Sequence, residues 1–407
     1  MSNSVYRRCG CRDDAGRQYG TACQALSDPK HGAWGYYLSD GTDPKSGRRR
    51  QYRKTGYPTK RAAQSALAEL RTSLDKGTYV PPTAILLFVY ALEWLPRRQT
   101  TGDGLKPTTA AGYERYIRHD IAPSALGGMR LTDIRRHHVN AFAGGLTRAG
   151  RGPVTVRRIL AVLQTILAAA VRDELIVGNP ALGADKPTVE RDVVHVWEPE
   201  HVRTFLARCV EHRLGALFEV AVLTGLRRGE ITGLRWADVD LLARKVVVRH
   251  NRVTVNGQVQ EQSTKTRAGL RTVPLSDFAV ATLLAWQLRQ GEEAAAAQEA
   301  WRTEGHVFTL EDGRPLDPAY VTRLFQTLRK AAGAPPLSFH GLRHCAASLM
   351  LASGADIAVV SKLLGHASIA ITSDVYGHLI GTVASDTVNG AANLIAHTVH
   401  TPEGVGA

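Results

Sequence analysis

The feature that most limits what this chain can fold into is a repeated change of hydrophobic rhythm, punctuated by prolines. Between Gly32 and Tyr57, aromatic and polar residues alternate (Trp34, Tyr36, Tyr37, then Tyr52) around the turn-rich stretch Ser39–Gly47. Alternation at period two predicts a strand, a turn and a strand. Pro58 and Thr59 then open a helical pattern with Ala63, Ala66, Leu67, Leu70 and Leu74 on one face, closed by Gly77. Pro81-Pro82 breaks the chain, because paired prolines cannot continue a helix. From Ala84 to Leu182 the apolar spacing is helical, in segments near 84–95, 107–120, 131–146 and 153–174, with breaks at Gly127-Gly128 and Gly150–Pro153. Asn179-Pro180 ends this region, and 181–194 reads as a linker. The remainder predicts helices near 198–211 and 215–224, strands over Lys245–Val255, Gly257–Thr264 and Arg271–Pro274, and then helices. The expected fold class is multidomain: a small N-terminal β-sheet plus helix over 1–80, an all-α domain over 83–182, a mainly-α α+β domain with a small antiparallel sheet over 192–397, and a tail at 398–407.

A chain of 407 residues is long for one core, which agrees with several domains. Its net charge is +14, and residues 1–80 alone hold fifteen Lys and Arg against seven Asp and Glu, or +8. Such a balance favours a polyanionic partner through phosphate contacts, so nucleic acid leads the candidates. Arg157, Arg158 and Arg172 in one helical segment, and Arg135, Arg136, His137 and His138 at the start of another, are either a solvated basic face or a DNA contact. The apolar stretches Thr83–Leu95 and Ile159–Val171 read as too short or too interrupted to span a bilayer, the first residues lack an apolar signal core, and five cysteines do not form a secreted disulfide framework. The expectation is a cytoplasmic, nucleoid-associated protein without a membrane partner.

Four short segments of the last region carry chemistry: Thr224-Gly-Leu-Arg-Arg-Gly-Glu230, Ser263-Thr-Lys-Thr266, His340-Gly-Leu-Arg-His344 and Leu364-Gly-His366, with Tyr376 ten residues further on. Phosphoryl transfer without a metal needs a nucleophile, cations on the non-bridging oxygens, an acid for the leaving oxygen and hydrogen-bond donors. These residues can fill every role. Arginine suits the clamp because its planar fork gives bidentate contacts and stays charged. Taken singly each segment says little; their order and spacing together resemble the tyrosine recombinase (phage integrase) family, whose signature is Arg, Lys, His-x-x-Arg, His or Trp, and Tyr.

That resemblance implies a site-specific DNA recombinase, an integrase that cleaves and rejoins DNA through a 3′-phosphotyrosine on Tyr376 during integration or excision of a mobile element. It makes Arg227 the first arginine of the clamp, ahead of its neighbour Arg228, with Glu230 as a buttress and Arg343 as the second arginine. Lys265 becomes the general acid for the departing 5′ oxygen, His340 assists proton transfer from the tyrosine, and His366 donates a hydrogen bond to the phosphate. His344 reads as support or core. No nucleotide cofactor or catalytic metal is implied. The same resemblance makes 1–80 an arm-type DNA-binding domain and 83–182 a core-binding domain. It implies double-stranded DNA with core and arm attachment sites as partner, a homotetramer on DNA that 379–399 would help to link, and room for a directionality factor and a DNA-bending host protein. A type IB topoisomerase would share the clamp and tyrosine, but the arm-like domain argues against it. A catalytically inactive DNA-binding regulator would have lost one of the six residues, and none is missing. A serine recombinase would need an N-terminal strand–helix alternation that 1–80 lacks.

Cys9, Cys11 and Cys23, with His31 following, form a three-sulfur, one-imidazole set suited to tetrahedral zinc. The alternative is a set of reduced thiols in a small core. A zinc there would be structural, since so small a module has little apolar surface to stabilise it. Cys209 and Cys345 read as ordinary buried thiols.

Overall fold

The computed structural model describes residues 2–42, 49–77, 79–81, 83–102, 104–189, 195–263, 270–302, 304–365 and 368. The chain divides into two compact units, Met1–Gly104 with Tyr113–Val189, and Leu105–Gly112 with Glu190–Ala407.

The first unit opens with three strands, β1 (Ser2–Arg8), β2 (Ala33–Thr42) and β3 (Arg49–Tyr57), in an antiparallel sheet of order β1-β2-β3, followed by helix α1 (Lys60–Asp75). The Thr59 side chain caps α1 by accepting the Ala62 N–H at 3.1 Å. Leu67 and Leu70 of α1 bury against Tyr36 and Leu38 of β2, with Tyr52 and Leu74 at the edge. The strand–turn–strand and the helix agree with expectation; β1 was not foreseen, because Val5 and Tyr6 are its only apolar residues. A Cβ at Gly35 would lie 2.7 Å from the Lys54 carbonyl oxygen, so glycine is what lets β3 approach at the register shift beside Trp34.

Helices α2 (Leu87–Thr100), α3 (Pro107–Tyr116), α4 (Arg136–Arg148) and α5 (Pro153–Arg172) follow. The expected helix over 131–146 begins only at Arg136: Leu131–Asp133 is a 3-10 turn, and the Arg135 side chain turns back onto the Thr132 carbonyl at 2.7 Å. Tyr90 donates to Asp173 at 2.7 Å, and Arg151 pairs with the buried Asp120 at 2.8 Å, so the breaks between helices are held by polar contacts. Among the described residues α5 is the one helix long and apolar enough to cross a membrane, longer than the expected interrupted stretch. Its face of Val156, Ile159, Leu163 and Ile166 is buried, as in a core helix. Arg157, Arg158 and Arg172 stand on its exposed face.

The second unit holds α6 (Pro199–Cys209), α7 (Gly215–Thr224), α8 (Arg228–Thr232), the strands β4 (Val239–Asp240), β5 (Lys245–Val248), β6 (His250–Val255), β7 (Gln258–Ser263) and β8 (Arg271–Pro274), then α9 (Asp277–Ala297), α10 (Pro318–Ala331), α11 (Phe339–Ala352) and α12 (Ile357–Leu364). Phe205, Phe218, Phe325 and Phe339 meet at its centre, with ring centroids 5.4 to 6.3 Å apart, and Cys209 and Cys345 are buried beside them. The single expected sheet is two: β4-β5-β8, and the separate hairpin β6-β7. The expected strand over Lys245–Val255 breaks at Arg249, where the burial of Val246 and Val248 stops and Arg249 pairs with Asp238 at 2.9 Å. Asn256 and Gly257 close the hairpin with φ of 49° and 79°, the two positive angles that a two-residue turn between twisted strands requires.

Candidate active site

Helix α12 ends at Gly365, whose φ of +68° turns the chain. A helix C-terminus leaves carbonyls without intrahelical partners and carries partial negative charge. Here three consecutive carbonyls are taken by three arginines from separate elements. Arg271 at the start of β8 donates from Nε to Leu363 at 2.8 Å, Arg343 of α11 donates from Nη2 to Leu364, and Arg227 donates from Nη2 to Gly365 at 3.1 Å. The end of one helix therefore gathers cations that are 44 to 116 residues apart in sequence.

The glycines of Thr224-Gly-Leu-Arg-Arg-Gly-Glu230 explain why this motif folds as it does. Gly225 ends α7 at φ +63°, where a Cβ would lie 2.6 Å from Leu364 Cδ2; its carbonyl accepts Arg343 Nη1 at 2.8 Å. At Gly229 a Cβ would sit 2.1 Å from Asn251 Oδ1 and 2.5 Å from the Arg252 carbonyl oxygen, so only glycine lets α8 lie against β6. Between them Arg227 caps α8: its N–H donates to Glu230 Oε2 at 2.8 Å and its Nη1 to Oε1 at 2.7 Å.

Glu230 is 3% exposed. Arg271 grips it with a fork of two bonds, at 3.0 and 2.8 Å. Burial by itself would raise the carboxyl pKa; the hydrogen bonds and charge of Arg271, joined by those of Arg227, outweigh it and bring the pKa down to about 2. Glu230 is thus a fixed anion between two arginines. Arg271 was read from sequence only as a strand residue; no local signal marks it, since its carboxylate partner lies 41 residues away. Arg228, the alternative first arginine, turns to Thr322 at 2.6 Å on the surface, while Arg227 faces the α12 terminus.

Arg343 is 2% exposed. His340 lies one turn earlier on α11 with an edge open to solvent. The surrounding protein desolvates its ring, and the charges of Arg343 and Arg227 add to that, so its pKa falls below the ordinary imidazole value. His344 meets His340 edge-on at 4.9 Å, and burial with the same neighbours lowers it to about 4. Both rings are neutral at pH 7. Of the expected site residues, Arg227, Glu230, His340 and Arg343 come together; Lys265, His366 and Tyr376 lie outside the described residues.

The strand that leads to Lys265, β7, carries a second unforeseen network. Glu261 is held by Arg235 at 2.8 Å, His250 at 3.0 Å and the buried His306 at 3.2 Å. It ties the hairpin to the segments around Arg235 and His306, which also pair with each other as a β-bridge.

Far along the chain, in the N-terminal module, the sulfurs of Cys9, Cys11 and Cys23 and a ring nitrogen of His31 all lie within 4.8 Å of one another, as the sequence led us to expect for these four.

Residues 196–380 match the phage integrase family, and residues 27–74 match an arm DNA-binding domain. A "Tyrosine recombinase XerC-like" protein of Caldanaerobacter subterraneus is 28% identical over 76% of this chain and 83% of its own length. The tyrosine recombinase XerC of a Mycobacterium species is 32% identical over 60% of this chain and 76% of its own length. Among solved structures, the integrase of transposon Tn1549 in complex with a circular intermediate DNA is similar in fold, with a TM-score of 0.61 and 18% identity over 72% of this chain and 95% of that one.

Proposed function

The chain belongs to the phage integrase family of tyrosine recombinases, enzymes that break and rejoin DNA strands, and from that premise we propose how its own residues divide the reaction. Tyr376 attacks phosphorus. The P–O5′ bond breaks as the new P–O bond to the phenol oxygen forms, and the DNA 3′ end stays on the protein as a phosphotyrosine. The phenol proton passes to His340, which is neutral at pH 7 and so able to take it. The departing 5′ oxygen takes a proton from the Lys265 ammonium. Arg227 and Arg343 hold the non-bridging oxygens, and His366 donates a further hydrogen bond. A 5′ hydroxyl of the partner strand then reverses these steps, so no bond energy is lost and no catalytic cofactor is required.

The observation that carries this reading is the set of carbonyls at 363 to 365. They fix the guanidiniums of Arg227 and Arg343 beside each other, and the next residue in the chain is His366. Glu230 and Arg271 take no part in bond making; they stop Arg227 from rotating away. Preorganised cations of this kind are worth about 10²- to 10³-fold each in a transition state.

We place the arm-binding domain at 1–80, the core-binding domain at 83–182 and the catalytic domain at 192–397. The sheet of the first offers cations interleaved with aromatic rings: Arg7 lies 5.7 Å over Trp34 and Arg53 lies 5.0 Å over Tyr37. That surface suits phosphate contacts at arm sites. Four protomers would assemble on two DNA partners inside the cell, at the nucleoid, where a directionality factor and a DNA-bending host protein would set the balance of integration and excision. The Cys9, Cys11, Cys23 and His31 cluster is a structural zinc site in this reading. The functional test is integration of a plasmid carrying the attachment site. Single changes Arg227→Ala, Arg343→Ala and Tyr376→Phe each abolish recombinants if the assignment holds, and full recombination by any one of them removes that residue from the site.

A further inference from the structure

We propose that Cys9, Cys11, Cys23 and His31 bind one zinc ion that takes the place of a hydrophobic core for the loop 9–32 and so fixes β1 against β2. The loop joins two neighbouring antiparallel strands, from the Arg8–Ala33 pair at its base. Cys9 is its only buried residue. Beyond the half-buried Leu26, little apolar surface holds this long loop closed, yet its backbone turns around the four donors. Cys9 donates its N–H to the Gly20 carbonyl at 3.1 Å, and Tyr19 donates to the Cys11 carbonyl at 2.9 Å. Gly32, at φ +77°, brings His31 back to the strand end: a Cβ there would lie 2.7 Å from the Arg8 carbonyl oxygen.

Two sulfur-to-nitrogen edges of the cluster match a tetrahedron around zinc, and all four donors lie within 4.8 Å of one another. With Zn–S near 2.3 Å and Zn–N near 2.05 Å, the edges should be about 3.6 Å for sulfur to nitrogen and about 3.8 Å for sulfur to sulfur. His31 Nε2 lies 3.4 Å from Cys11 Sγ and 3.7 Å from Cys23 Sγ. All three cysteines are unpaired as disulfides. Three thiolates and an imidazole select zinc over calcium or magnesium, which take oxygen ligands. The arm-domain match begins at residue 27, so the three cysteines precede it and His31 lies within it. Arg7 stands at the end of β1 and Trp34 at the start of β2, a pair whose spacing the zinc would hold. That last step rests on the arm-domain reading; the metal site does not.

The test is elemental analysis of the full-length protein purified with reductant and without chelator, then with zinc added. About one zinc per chain is expected; Cys23→Ser and His31→Ala lose it, whereas Cys23→His keeps it. Cobalt(II) in its place should give the visible bands of a tetrahedral thiolate site. Chelation should speed tryptic cleavage at Arg12 and Arg17 while leaving the second unit intact. Protein that takes up no zinc, zinc that survives both single changes, or a mass lower by two hydrogens from a disulfide would each overturn the proposal. Zinc content is read without DNA, so loss of strand cleavage with zinc still bound indicts the recombinase assignment and leaves this site standing.

Discussion

Arg271→Met is the change that tests the architecture of the clamp most severely. It removes two bonds to a carboxylate that is 3% exposed and one bond to the Leu363 carbonyl. Stripping one partner from a buried ion pair costs about 3–5 kcal/mol, because the remaining charge is left without a partner in low dielectric. Here Arg227 still touches Glu230, which places the expected loss near the lower end, about 3 kcal/mol. With a urea m-value of about 3 kcal/mol/M, the midpoint should fall by roughly 1 M. Urea unfolding followed by the fluorescence of Trp197 and Trp286, both buried in the second unit, reads this directly. Adding Glu230→Met removes the stranded charge and should recover most of the midpoint, as apolar replacement of buried pairs often does. Strand cleavage should nonetheless stay reduced by about 10²-fold, since Arg227 has lost the carboxylate that orients it. If Arg271→Met moves the midpoint by less than about 0.3 M, or if the double change is no more stable than the single one, Glu230 is not held as argued.

Arg228→Ala should leave cleavage within a few-fold of wild type while Arg227→Ala abolishes it, measured as single-turnover cleavage; equal losses would mean that the surface arginine is the clamp. Gly229→Ala should destabilise the second unit and lower its melting temperature, because the added Cβ has no room between Asn251 and Arg252; an unchanged melting temperature would show that α8 does not sit on β6. The acid side of the stability curve follows from the histidines and Glu230. His344, held at about 4, and His340, also lowered, stay neutral in the fold while the unfolded chain takes up protons below about pH 6.5. Stability is therefore complete above that value and falls as pH drops toward 4. Glu230, at about 2, adds a further loss between its unfolded value and pH 2. A melting temperature flat from pH 7 to 4 would contradict the histidine assignments, and one flat from pH 4 to 2 the Glu230 assignment.

Much of this was legible because the sequence states it in backbone terms. Val156, Ile159, Leu163 and Ile166 recur at helical spacing, and α5 buries that face. The left-handed helix end at Gly225 and the close approach at Gly229 emerge only once α7, α8 and β6 are placed. What stayed hidden depends on partners distant in sequence. Arg271 looks like any arginine at a strand start until Glu230 is placed against it. The Glu261 network draws on residues from 235 to 306. β1 escaped because an edge strand needs little apolar content, and the break at Arg249 escaped because β-branched residues run on across it. Lys265, His366 and Tyr376 were named by motif alone.

The most direct test of the whole account is the chemistry at residue 376. A nicked suicide substrate carrying the attachment core should trap wild-type protein as an SDS-stable adduct at the cleaved 3′ end, and peptide mass analysis should place the nucleotide on Tyr376. The account predicts this adduct in the wild type and none in Tyr376→Phe. An adduct of equal yield in the variant, or one mapped to another residue, would contradict it.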